Sequence, residues 1–189
     1  MIRLRVKESE ALVQQMEITN IIFALDQSTA KTGFAIFLDN SLSEFGCHDP
    51  SGDYLERIIK LKHWFLTKVT ELRDLNPNAK LQILIEEIQL QKIPGTSQNE
   101  NVLTFKKLAY VQGMLVLLCE EHGLDYQIIP SSTWKSICGV KGANRTAQKN
   151  DAQRYIKSKY NLEVIQDTCD AICIGDSVII SEKRGPWGI

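Results

Sequence analysis

Four acidic residues hold positions where an α/β protein gathers its chemistry. Asp26 closes the apolar run 20–25, and Glu86 closes the run 81–85. Asp167 and Asp170 stand three apart at the start of a helical segment. That spacing puts both side chains on one helix face, with Cβ atoms roughly 5–6 Å apart. Strand ends on one edge of an α/β sheet are where ligands bind. Four carboxylates gathered there would repel one another. A hard divalent cation such as Mg²⁺ relieves the repulsion, because carboxylate oxygens are its preferred ligands. Singly, each acid has a plainer use: an Asp after a strand forms turns, and a DxxD pair at a helix start serves as a cap. The set of four is harder to explain in that way. Glu87 leaves a choice open, since a one-residue slip in register would turn Glu87 rather than Glu86 into the site. Asp176 follows Asp167 by nine residues, about 180° around a helix, and is read as outside the set.

Other chemistries lack their motifs. The chain contains no GxxxxGK[ST], no GxGxxG and no HExxH. His48, His63 and His122 are scattered, and Cys119 and His122 have ligand-like spacing without a second pair to complete a zinc site. Cys169 and Cys173 read as free core cysteines.

The elements that must position the acids are legible from periodicity. Run 20–25, apolar at every position after Asn20, reads as a strand covered on both faces. A turn over 27–32 leads to a second strand at 33–38, a hairpin turn at 39–41 and a short strand at 43–47. Apolar residues at helical spacing predict a helix over 53–75. A strand at 81–85 follows, then a loop over 89–100, where Pro, Gly, Ser, Asn and Gln crowd together. A long helix over 102–121 closes at Gly123. A fifth strand at 126–129, a short helix at 133–137, a basic glycine-bearing loop at 139–145, a basic helix at 146–160 and a last helix at 167–181 complete the chain. Three leading strands and then alternating units describe a mixed sheet flanked by helices, one α/β domain over 20–189 preceded by an arm at 1–19.

The 189 residues carry a net charge of −1, with 43% hydrophobic and 24% charged residues, an ordinary globular composition. The charge is unevenly spread. Between Ser131 and Tyr160 lie Lys135, Lys141, Arg145, Lys149, Arg154, Lys157 and Lys159, opposed only by Asp151. This stretch carries +6, which leaves −7 on the rest. Such asymmetry suits a basic element that meets a polyanion; on charge alone, a solvated helix face with a loop is the plainer reading. Trp134, within this stretch, could stack on a base; a buried anchor is the simpler role. The longest unbroken apolar run is well below the roughly 18 residues of a membrane helix, so no membrane partner is expected. Residues 1–7 alternate charged and apolar side chains, unlike a secretion signal. Five cysteines without a CxxC point to a reducing, cytoplasmic setting.

Three motifs together resemble a known family. The segment 25–34, Leu-Asp-Gln-Ser-Thr-Ala-Lys-Thr-Gly-Phe, resembles the opening of RuvC-type Holliday junction resolvases. There an Asp ends the first strand and a Thr-Gly starts the second. Leu84-Ile85-Glu86-Glu87 resembles their fourth-strand Ile-Glu, and Asp167-Thr168-Cys169-Asp170-Ala171 their terminal-helix DxxDA. The order and spacing span roughly residues 20–182, and short phage or prophage members are the nearest in look.

The resemblance implies a ribonuclease H-like mixed five-stranded sheet flanked by helices, a homodimer, and metal-dependent cutting of four-way DNA junctions. Carried over residue by residue, Asp26, Glu86, Asp167 and Asp170 take the four metal-binding catalytic positions. Two Mg²⁺ per site are implied, with Mn²⁺ able to substitute. Two metals about 4 Å apart activate water and stabilise the leaving oxygen in an in-line displacement. Lys135, Lys141, Arg145 and Lys149 fall in a region the family uses against DNA. The chain departs from the common bacterial members at Gln89, where they place a stacking aromatic. In the dimer, the outer side of helix 102–121 is the candidate surface: Tyr110, Met114, Leu117 and Leu118 lie there, around from a broad apolar stripe of Phe105, Leu108, Ala109, Gln112, Leu115, Val116 and Cys119, part of which covers the sheet. Two other readings stay open. One is a ribonuclease H-like nuclease acting on flaps or RNA·DNA hybrids. The other is a sugar-kinase-like phosphate-binding fold, whose hairpin Ala24–Thr29 also resembles.

Overall fold

The computed structural model describes residues 17–90 and 97–184. Strands β1 (Asn20–Asp26), β2 (Thr32–Leu38) and β3 (Ser41–His48) come first, then helix α1 (Tyr54–Leu75) and strand β4 (Lys80–Glu86). Helix α2 (Gln98–Glu121), strand β5 (Asp125–Ile129) and helices α3 (Ser131–Ile137), α4 (Arg145–Tyr160) and α5 (Gln166–Arg184) follow. The sheet order is β3-β2-β1-β4-β5. β1 and β2 pair antiparallel, as do β2 and β3, while β4 runs parallel to both β1 and β5. This is the mixed five-stranded sheet flanked by helices that the sequence predicts.

Alternation along the strands sorts the core into two layers. On one face Ile21, Phe23 and Leu25 of β1 and Ile83 and Ile85 of β4 pack with Leu61, Phe65 and Val69 of α1 and Val111, Leu115 and Leu118 of α2. On the other face Ile22, Ala24, Phe37 and Leu84 pack with Trp134 of α3, Ile156 of α4 and Ile172 of α5. Buried on both faces, β1 needs the continuous apolar run the sequence shows. The apolar area removed from water by these two layers is the main stabilising term of the fold.

Several boundaries differ from expectation for local reasons. α2 begins within the expected loop, because Ser97 and Glu100 form a capping box in which each side chain bonds the other's backbone N–H. Leu118, expected on the outer side of α2, is buried against the sheet, and Met114 is partly covered there too. By length and composition α2 is the one helix among the described residues apolar enough to cross a membrane. A count of unbroken apolar runs overlooks it because polar residues interrupt the helix; here one side of it covers the sheet. Of the expected arm, residues 1–16 lie outside the described residues. Thr19 already joins the fold, donating from its backbone N–H and its hydroxyl to Asp39 Oδ1 at 3.1 and 2.9 Å.

Candidate active site

Asp26 and Glu86 end neighbouring parallel strands, and the pairing of Leu25 with Ile85 sets them side by side at one sheet edge. Parity decides which face they use. Asp26 shares the side of Ile22 and Ala24, and Glu86 that of Leu84, all in the layer covered by α5. Glu87 lies past the end of β4, on the α2 side of Asp26 and Glu86, and lines an adjoining, smaller pocket with those two acids and with Thr104, Phe105 and Leu108 of α2. Of the two acids left open by the sequence, Glu86 is the one on the face of β4 that α5 covers, and it lines the cleft with Asp167 and Asp170.

Helix α5 reaches this edge because two glycines let it. A Cβ on Gly33, which pairs with Asp26, would stand 1.9 Å from the carbonyl oxygen of Asp167. One on Gly175 would stand 2.2 Å from the Phe37 ring. With no side chain at either place, the first turn of α5 lies on β2 beside Asp26. Asp167 and Asp170 then join Asp26 and Glu86 in one cleft of about 560 Å³.

The electrostatics of this cleft are those of crowded acids. Burial raises the Asp26 carboxyl well above its ordinary value, and the neighbouring Glu86 and Asp170 charges add to the shift. Burial likewise pushes Asp170 up to about 7, opposed by the hydrogen bond from Gln166 and reinforced by Glu86. Gln166 Nε2 donates to Asp170 Oδ1 at 2.7 Å, and the indole N–H of Trp134 donates to Glu86 Oε1 at 2.8 Å. Gln27 Nε2 donates to the Glu86 carbonyl at 2.7 Å. Among the described residues, no three Asp, Glu, His or Cys side chains form a ready-made metal cage. The donor set nonetheless fits a hard divalent cation: four carboxyls converge, and their mutual repulsion and burial are what a bound cation reverses.

Basic residues rim the same cleft. Lys135, Arg145 and Lys149 line it, together with Ser28, Gln89, Ser131 and Gln148. Lys141 is not among its lining residues; its side chain is exposed, and its backbone N–H donates to Asp151 at 2.9 Å. Asp176 stands apart from the four acids. It is buried against α4, where it accepts hydrogen bonds from the hydroxyls of Tyr155 (3.0 Å) and Tyr160 (2.6 Å) and pairs with Lys159 at 2.7 Å. This network holds the basic helix to the acid-bearing one. Trp134 is buried, as a structural anchor should be, but its bond to Glu86 had no signal in the sequence. The pairs Asn144–Ala147 and Gln166–Asp170 did have one, in the ordinary cap and i,i+4 spacings.

Among known proteins, no family model matches the chain, and no curated protein matches it by sequence. Solved structures do. RuvC of Thermus thermophilus in complex with a Holliday junction substrate is similar at a TM-score of 0.65 with 12% identity, covering 87% of this chain and 96% of that one. A second Thermus thermophilus RuvC structure gives 0.63 and 14%, with the same coverages. The yeast mitochondrial Holliday junction resolvase Ydc2 gives 0.50 and 13%, covering 87% of this chain and 79% of that one. Strand order, helix placement and these likenesses agree: the chain has the ribonuclease H-like fold of RuvC-type resolvases.

Proposed function

We propose that this protein is a metal-dependent endonuclease that resolves four-way DNA junctions. The observation that carries the reading is the convergence of Asp26, Glu86, Asp167 and Asp170 in a cleft rimmed by Lys135, Arg145 and Lys149. Its support is a fold shared with a resolvase seen on junction DNA. The cations would hold backbone phosphates, contacts that position DNA without reading its sequence. The acids would hold two Mg²⁺, with Asp26 central, Glu86 to one side and Asp170 with Asp167 to the other. The bound ions would supply an activated water and charge for the leaving oxygen. Trp134 and Gln166 each engage one carboxylate oxygen, so that Glu86 and Asp170 meet the cleft in fixed directions.

Junction resolution takes two cuts, and a two-fold dimer would present two such sites to a nearly two-fold substrate. We assign the dimer surface to the outer side of α2, where Leu103, Tyr110 and Leu117 are exposed.

The test is incubation with labelled four-way junction, flap, duplex and RNA·DNA hybrid, with Mg²⁺ or excess chelator. Paired nicks in the junction, dependent on Mg²⁺, are the expected result. Cutting confined to flap or hybrid would move the chain to another ribonuclease H-like nuclease class. ATP hydrolysis without cutting would return it to the kinase-like reading.

A further inference from the structure

Trp134 has the largest side chain among the fully buried residues, and it packs in the layer between the sheet and α5. A buried indole N–H needs an acceptor. Here the acceptor is a carboxylate oxygen of the acid cluster, Glu86 Oε1, 48 residues away in sequence, at 2.8 Å.

Glu86 is thereby held at three levels. Its strand is paired on both sides, by β1 and β5. Its carbonyl accepts from Gln27. Its carboxylate is pinned at Oε1 by the indole, which leaves Oε2 as the oxygen without that bond. Lys135, next in sequence, sets its ammonium 5.3 Å from the Trp134 ring centroid and lines the acid cleft. Helix α3 thus contributes two things at once, a donor that orients one acid and a cation beside the others.

We propose that Trp134 is a positioning residue for Glu86, fixing which carboxylate oxygen is offered to a divalent cation. The proposal rests on the reading of the four acids as a metal site, and on the nuclease reading only for its catalytic consequence; a wild type that takes up no Mn²⁺ overturns it together with the metal reading.

The experiment compares wild type with Trp134→Phe, which keeps a buried ring and removes the N–H. Mn²⁺ is titrated calorimetrically into metal-free protein without DNA. Outer-shell partners of metal ligands are worth about 10–100-fold in affinity or activity, so Mn²⁺ binding should weaken at least about 10-fold. On junction DNA, kcat should fall with KM unchanged. In a Glu86→Gln background, Trp134→Phe should cause no further loss of Mn²⁺ affinity, because the two residues act as one unit. Should the Phe variant melt early, the benzothienylalanine isostere, with sulfur in place of the N–H, carries the same expectation. An unchanged Mn²⁺ affinity in a folded variant overturns the proposal, and so does a full loss that persists in Glu86→Gln. If the Mn²⁺ shifts appear but wild type cuts no junction, the positioning role stands and the substrate reading fails.

Discussion

At the scale of single residues, the four acids differ in what surrounds them, and that sets their expected behaviour. Asp26 sits centrally, raised by burial and by three neighbouring carboxyls. Asp26→Asn should abolish cleavage in a gel assay while junction binding survives, since in the proposed function the phosphates would be held by the rim cations Lys135, Arg145 and Lys149. Cutting at the wild-type rate would reduce Asp26 to a turn residue. Asp170 carries a second expectation. Its folded-state value is about 7 against an ordinary 3.8. Between those values the folded protein keeps a proton that the unfolded chain has released, so this group's contribution to stability declines as pH rises through the interval and levels off above it. Without metal, Asp170→Asn should therefore gain melting temperature over wild type as pH rises from 3.8 to about 7. Saturating Mg²⁺ should stabilise wild type above pH 7, where the carboxyl is free to bind it. A difference that does not change with pH would show that Asp170 is not the group with the raised value.

At the scale of elements, the site exists because α5 lies close against β1 and β2. Gly33 is the point of closest approach, with no space for even a methyl group beside Asp167. Gly33→Ala should push the start of α5 away from Asp26, spreading the acids. Overpacking of this kind costs about 1–3 kcal/mol. The variant should melt lower than wild type and cut slowly even at high Mg²⁺, and both should recover little by adding metal. A fully active, equally stable Gly33→Ala protein would mean that α5 can shift without disturbing the acids. On the far side of α5 the Asp176 network with Tyr155, Tyr160 and Lys159 ties α4 in place. Arg145 and Lys149 on α4 keep their position on the cleft rim through that tie.

At the scale of the whole molecule, the two faces of the sheet have different duties. The face under α5 carries the acids, and the opposite face is covered by α1 and α2. α2 remains apolar on its outer side, where Tyr110 is 65% and Leu117 56% exposed. Leu103, Tyr110 and Leu117 stand seven residues apart, an apolar stripe at helical spacing that the proposed dimer would cover. Sedimentation should give a dimer of about 43 kDa, twice the chain mass of 21.4 kDa. Leu117→Glu should yield a folded monomer that nicks a junction without making paired cuts. Leu117 is a cleaner probe than Met114, because Met114 also packs against the core. A wild type that stays monomeric at micromolar concentration, on junction DNA as well as free, would remove α2 as an assembly surface.

What the sequence determined by itself is local. Apolar runs of strand length ending in Asp26 and Glu86, the DxxD pair at the head of the last helix and the charge imbalance over 131–160 all follow from residue type and spacing. These features are written at periods of 2 and 3.6 residues, so they survive without knowledge of the fold. Even the early start of α2 was legible, in Ser97 and Glu100, although the crowd of turn residues before it hid the cap. Only the tertiary structure put Glu86 rather than Glu87 on the α5 side, because that depends on which face of β4 meets α5. It also turned Leu118 inward, left Lys141 off the cleft lining and joined Trp134 to Glu86. Each of these depends on residues tens of positions apart being brought together by sheet order and helix crossing. Periodicity says which side of an element is apolar, but not which other element that side will meet.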